Sequence, residues 1–401
     1  MSRARKITIA GAVAQRPGQG GHTWVFLQYL LGLRRLGWDV VLVDRLEPEM
    51  CVDATGAPST LEDSTNLAYV REVLERFGCT ESYALLYDGG SSVFGRSREE
   101  LLDHVRESET LINVMGYVDD PELLAAARHR VFFDIDPGFS HMWQDLGWAT
   151  LFDGYDAHVT VAMNIGRDDC LIPTCGLEWI TTLQPIVLEH WPAQPPPDLL
   201  CFSSVGAWRG PYAPVEYHGH LYGLRVHEFR RFFELPARTG EAFEIALDIH
   251  TTEERDRASL EANGWRLVDP AVAAGDPWRY RNFVRDSAAE LMIAKNMYVD
   301  TRSGWFSDRS VCYLATGRPV VAQDTGLDGV LPTGLGLLTF SSLEEAEAAV
   351  ASVAAKYLEH ARAARAIAEE HFDSDRVLSA LIDRLGLPGA TARTSVIAGR
   401  A

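Results

Sequence analysis

Ser303, Gly304, Trp305, Ser307, Asp308 and Arg309 crowd into one short stretch, and Gln323, Asp324 and Thr325 follow a few residues later. The pattern around them reads as a strand over residues 296–301, a glycine turn, a helix opening on Ser307 and Asp308, a stop at Gly317 and a buried strand over 319–322. Such a βαβ unit brings both polar loops to the carboxyl ends of parallel strands, where open α/β sheets bind ligands. Free N–H groups at the helix start favour an anion, and Arg309 adds a guanidinium suited to phosphate. Gln323, Asp324 and Thr325 can donate to and accept from sugar hydroxyls. Plainer uses stand beside these: Asp308 as a helix cap, Trp305 as a core aromatic instead of a stacking platform.

Three other places carry candidate residues. Gly206, Trp208 and Arg209 follow an apolar strand over 199–205, so that backbone can approach a ligand and Arg209 can pair with a diphosphate or simply reach solvent. Lys295, one of only three lysines, precedes the strand expected at 296–301 and points toward the phosphate crevice or away from it. Near the amino terminus, Gly20 and Gly21 precede a helix expected over 22–36, with His22 at its start. The helix dipole lowers that imidazole's pKa and leaves it neutral, a general base for a hydroxyl group or just a polar helix start. Asp134 and Asp136 follow another strand, where either carboxylate can orient the base or bind an acceptor, or else cap the next helix; His141 reads as structural.

The elements that must position these residues alternate regularly. Strands are expected over 6–13, 39–46, 83–87, 110–115, 130–135 and 157–162, with helical patterns between them, which argues for a mainly parallel sheet covered on both faces. Clustered prolines at 191–198 form a stiff strap. The same grammar restarts after it, with strands over 199–205, 243–250, 265–268 and 336–340 and helices over 253–262, 278–294 and 343–370. The expected organisation is therefore a first domain over 1–190, the strap over 191–198, a second domain over 199–371, a helix over 372–388 and a tail over 389–401. Two Rossmann-like, doubly wound parallel-sheet domains would then face each other across a cleft.

Composition narrows the partners. A formal charge of −19 over 401 residues repels nucleic acid and anionic membranes as general partners while leaving room for a local cationic pocket. Six scattered cysteines lack zinc-knuckle spacing, and no Asp/His cluster has metal-binding spacing, so no metal and no cofactor beyond a co-substrate is expected. The apolar run at 7–14 reads as a first strand instead of a signal peptide, no segment approaches a membrane span, and a cytoplasmic location follows as an expectation. A homodimer is compatible with this plan.

With these residues in place, the chain resembles glycosyltransferases of the two-Rossmann-domain (GT-B) type. More closely it is similar to bacterial spore-maturation-like glycosyltransferases that carry the block SGWFSDRS, here residues 303–310, followed by YLATGRPVV at 313–321. The resemblance spans about 6–385. It implies a nucleotide-sugar donor in the second domain, an acceptor in the first and a last helix crossing back to the first. Many retaining members carry two glutamates eight residues apart; the corresponding positions here are Gly304 and Cys312, so an inverting, metal-independent transfer is the preferred expectation. A nucleotide-sugar epimerase on the same fold and a non-catalytic nucleotide- or carbohydrate-binding protein are the alternatives. A NAD-dependent dehydrogenase is disfavoured because residues 15–21 lack the Gly-x-Gly-x-x-Gly order.

Overall fold

The computed structural model describes residues 5–210 and 212–389. Two sheets organise them. The first contains β1 (Lys6–Ala10), β2 (Asp39–Leu46), β3 (Tyr83–Tyr87), β4 (Ser92–Gly95), β5 (Ser108–Val114), β6 (Arg130–Asp134), β7 (Ala157–Thr160) and β8 (Trp179–Thr181), in the order β4-β3-β2-β1-β5-β6-β7-β8. All neighbours pair in parallel except β3 and β4, which form an antiparallel edge.

In the second half come β9 (Cys201–Ala207), a small hairpin of β10 (Val215–Tyr217) and β11 (His220–Tyr222), then β12 (Ala242–Asp248), β13 (Trp265–Val268), β14 (Ala289–Met292), β15 (Val320–Gln323) and β16 (Leu337–Phe340). Its parallel sheet runs β13-β12-β9-β14-β15-β16. Both sheets reverse strand order beside their first strand, the crevice where doubly wound folds take ligands. In each sheet the central strands are buried on both faces, as near-continuous Val, Ile, Leu and Ala runs require.

One local expectation is corrected. Residues 296–301 do not form a strand: Asn296–Asp300 is a short helix, and the strand is β14, inside the segment expected to continue the preceding helix. That preceding helix, Pro277–Asp286, ends at Ser287. The apolar run that follows is too short for its periodicity to separate a buried strand from a buried helix. The expected helix over 343–370 also breaks into Leu343–Ala355 and Tyr357–Ile367.

The two halves share one continuous hydrophobic core, reaching from Ile7 and Trp24 through Trp191 to Tyr280, Phe306, Leu314 and Leu381. The proline-rich strap is held down: Gln194 N–H donates to the Thr316 carbonyl at 3.0 Å, and Arg318 donates to the Pro195 carbonyl at 2.9 Å. The final helix, Ser374–Arg384, packs on the Gly20–Arg35 helix, where Leu378 and Ser374 fill the space above Gly32. Among the described residues, no helix is long and apolar enough to cross a membrane.

Candidate functional site

A cavity of about 820 Å³ opens between the halves. The first half contributes the loop after β1 and the start of the Gly20–Arg35 helix, residues 17–22; the second contributes the carboxyl ends of β9, β12 and β13, together with Tyr280, Asp308 and Arg309. Its volume lies within the usual ~300–1,000 Å³ of small-ligand sites. Leu247, Ile249, Leu267, Val268, Ala271 and Ala274 supply apolar wall, and Asp248, Asp269 and Arg257 supply charge.

Two helices start at this cavity. Gly20 and Gly21 open the first, and their missing side chains are required by contact with the other half: a Cβ on Gly20 would lie 2.1 Å from the Asp276 carbonyl oxygen, and one on Gly21 would lie 2.9 Å from the Tyr280 ring. His22 follows, its Nε2 2.8 Å from the Ala12 carbonyl. A carbonyl only accepts, so Nε2 carries the proton and Nδ1 holds the free lone pair. Burial pulls the imidazole pKa down to about 4, with nearby Arg16 acting in the same direction and the Ala12 bond opposing.

The second helix, Asp308–Ala315, is capped by Ser307, whose hydroxyl accepts from Arg309 N–H. Arg309 is buried, paired through Nε with the buried Glu290 and through Nη1 with the Val205 carbonyl at 2.8 Å. Burial works against its charge and Glu290 overrides that, so the guanidinium stays cationic.

Arg225, at the start of the Arg225–Arg230 helix, was not anticipated from sequence. Its Nη1 occupies the space directly above Gly206, where a Cβ would lie 2.0 Å away. Its buried Nε has no partner among the described residues. Burial pulls its pKa down to about 10, and neighbouring Arg309 pulls the same way. A guanidinium with an unsatisfied N–H, set against Gly206 of the cavity wall, is suited to a bound anion.

Of the residues singled out from sequence, Gly20, Gly21, His22, Gly206, Asp308 and Arg309 line this cavity. The rest lie elsewhere. Trp208 is buried in the second sheet's own core with its indole N–H on Asp256, and Arg209 reaches solvent and pairs with Glu253. Ser303 is buried, and its hydroxyl ties Trp305 N–H to the Tyr298 carbonyl; Trp305 stacks on Tyr298 with centroids 4.0 Å apart. Gly304, at φ +70°, is pressed against Asn164 of the first half. Gln323 accepts from Ala294 N–H and donates to Glu228, Asp324 caps the turn at Gly326 and Leu327, and Thr325 donates to the Trp305 carbonyl.

The two candidate carboxylates of the first half are also committed. Asp134 is fully buried and accepts from Thr160 at 2.7 Å, with His141 Nε2 3.0 Å away. Asp136 binds the Lys295 ammonium at 2.8 Å and the Tyr298 hydroxyl, so Lys295 is a tie between the halves. These loops therefore form a clasp, and Asn164 completes it: its side-chain N–H₂ donates to the Arg302 and Gly326 carbonyls at 3.0 and 2.7 Å.

No family model and no curated protein sequence matches this chain. Solved structures do. An alpha-glucosyltransferase in complex with UDP superposes with a TM-score of 0.58 at 10% identity, covering 96% of this chain and 100% of its own. The Anabaena protein HepE, in complex with UDP and glucose, gives 0.54 at 12% identity, covering 95% and 99%. AviGT4, a glycosyltransferase involved in avilamycin A biosynthesis, gives 0.52 at 12% identity, covering 95% and 96%. Together with the two sheet orders, these likenesses establish a two-domain, Rossmann-like fold of the GT-B type.

Proposed function

We propose that this protein transfers a sugar from a nucleoside-diphosphate sugar to a hydroxyl of a small-molecule or glycan acceptor. The observation that carries this reading is the cavity at the strand-order reversal, lined by Gly206 and Arg309, with Arg225 Nη1 directly above Gly206 and its buried Nε without a partner among the described residues. Neighbours of the same fold were solved with UDP, which makes a uridine nucleotide the first donor to try. In this reading the base lies against Leu247, Ile249 and Val268, and a ribose hydroxyl donates to Asp248 or Asp269. The diphosphate crosses Gly206 toward Arg225 and Arg309.

His22 stands on the first half's side of the cavity with Nδ1 free. At a pKa near 4 it is a weak base at rest. An anionic diphosphate nearby raises its proton affinity, and the attacking hydroxyl grows more acidic as its bond to the anomeric carbon forms. Attack from that side, opposite the departing diphosphate, inverts the configuration. Charge on the leaving group is met by the guanidinium groups and the Ser307-capped helix terminus, so the transfer is proposed to proceed without a metal ion. One neighbour was solved with DNA, but a chain charge of −19 favours a different acceptor here.

The test is a thermal-shift screen with UDP, GDP and ADP on the wild type and Arg225→Met. One nucleotide should raise the wild-type melting temperature by several degrees through binding linkage. The variant should keep its own melting temperature, since it loses a guanidinium that forms no ion pair among the described residues and whose buried Nε has no partner there, yet should lose the nucleotide response. Absence of any response in the wild type would overturn the proposal. Incubation of the stabilising nucleotide's sugar conjugate without acceptor then separates slow hydrolysis, expected of a transferase, from epimerisation. Retained turnover after His22→Ala would remove that residue from the mechanism.

A further inference from the structure

Behind the main cavity lies a smaller chamber of about 40 Å³, between the Gly20–Arg35 and Asp308–Ala315 helices and the segment around Gln184. Three buried polar atoms of its lining residues, Gln28 Nε2, Tyr29 Oη and Gln184 Oε1, have no partner among the described residues. The opposite ends of both amides are engaged: Gln28 Oε1 accepts from Val187 N–H at 2.7 Å, and Gln184 Nε2 donates to the Phe306 carbonyl at 2.5 Å. The amide orientations are thereby fixed, leaving a donor, a hydroxyl and an acceptor to the chamber. A water needs roughly 10–15 Å³ of such space and two or more polar partners, so about three fit.

Asp308 lines both this chamber and the main cavity. Among the described residues it forms no ion pair: the adjacent Arg309 is committed to Glu290. We propose that the chamber is a water site serving Asp308. Its waters bond one carboxyl oxygen from behind, and the other, bearing the proton, donates a hydrogen bond to the anionic group held in the main cavity. An ionised carboxylate at that position would repel the diphosphate. The inference rests on the proposed donor and assigns Asp308 as a further ligand contact.

The groups facing Asp308 are consistent with a neutral acid. Burial pushes its pKa above the usual carboxyl range; Arg309 and the main-chain N–H groups of Asp308 and Arg309 oppose, and Glu290 on β14 reinforces the shift. Tyr29 on the first helix, Tyr280 on the Pro277–Asp286 helix and Cys312 on its own helix are all pushed upward by burial first and by Asp308 second or third, so they face it uncharged. His22 across the main cavity is held neutral.

The experiment is calorimetric titration of UDP, from about pH 5 to about pH 9, into the wild type, Asp308→Asn and the double variant Gln28→Leu/Tyr29→Phe. UDP's own ionisation is common to all three, so differences between the profiles report on the protein. Wild-type affinity should fall with rising pH by about tenfold more than that of Asp308→Asn, because a new like charge meets the ligand. Asp308→Asn, which keeps a donor and cannot ionise, should bind UDP throughout. Drying the chamber should move the wild-type midpoint to higher pH. Parallel wild-type and Asp308→Asn profiles, an unmoved midpoint in the double variant, or a tenfold loss of affinity in Asp308→Asn at low pH would each overturn the inference while leaving the donor reading intact. No UDP, GDP or ADP heat in the wild type at any pH would overturn both.

Discussion

The buried pair Arg309 and Glu290 shows how one residue serves both fold and site. Removing the guanidinium would leave Glu290 buried without its counter-charge, a loss of about 3–5 kcal/mol. Arg309→Ala should therefore unfold at markedly lower urea concentration than the wild type even with no ligand present, which separates it from Arg225→Met. Asp44 makes a second prediction at this scale. It is fully buried behind the loop that leads to His22, accepting from Ala14 N–H at 2.6 Å and Arg45 N–H at 2.7 Å. Burial pushes its pKa up to about 7, against the pull of those bonds. Since the folded value exceeds the unfolded one, its contribution is complete below the unfolded pKa of ~3.9 and is lost as pH rises through about 7. Urea midpoints at pH 5 and pH 8 should differ, and Asp44→Asn should reduce the difference.

Among the elements, the clasp around residues 303–306 is where the residue types were conspicuous in sequence and their use was hidden. Ser, Gly, Trp and Thr in crevice loops have the chemistry to bind a sugar, but here their partners are Asn164, Tyr298 and main-chain groups from distant segments. Spacing cannot disclose such partners. Gly304→Ala should destabilise by about 2 kcal/mol or more, because a Cβ at positive φ would also sit 2.8 Å from the Asn164 side chain; thermal melting is the check. Ser307→Ala should cost about 1 kcal/mol through the lost cap. By contrast, Gly20, Gly21 and His22, which open the helix after β1, and Gly206, at the carboxyl end of β9, were legible because each sits where a strand pattern gives way to the next element. Arg225 was not, because the β10–β11 excursion separates it in sequence from β9, whose end it faces. Asp269 caps Ala271 N–H at 2.8 Å, a local role that gives no hint of the cavity it lines.

At the scale of the whole molecule, alternation of strands and helices was enough to read two doubly wound sheets, since period and turn residues are local properties. The joining of the halves was not local. Trp24 donates to the Pro277 carbonyl at 2.8 Å, Arg76 lies 3.5 Å over the Trp278 ring, and the backbone at Ile186 bonds to residues 372 and 374. With the largest of the apolar clusters running through both sheets, heat should unfold the protein in a single transition with coincident loss of far- and near-ultraviolet dichroism. Two separate steps would contradict that.

The strap pinned at Gln194 and Pro195 bears on protein engineering. Chimaeras that exchange whole halves between enzymes assume a seam that can be cut and rejoined. Here such a cut would pass through Trp191, which has no exposed surface, and would strip the closing helix from its seat on Gly32. Under the proposed transfer, altered donor or acceptor choice is better sought by changing side chains around the cavity rim, with the seam left whole.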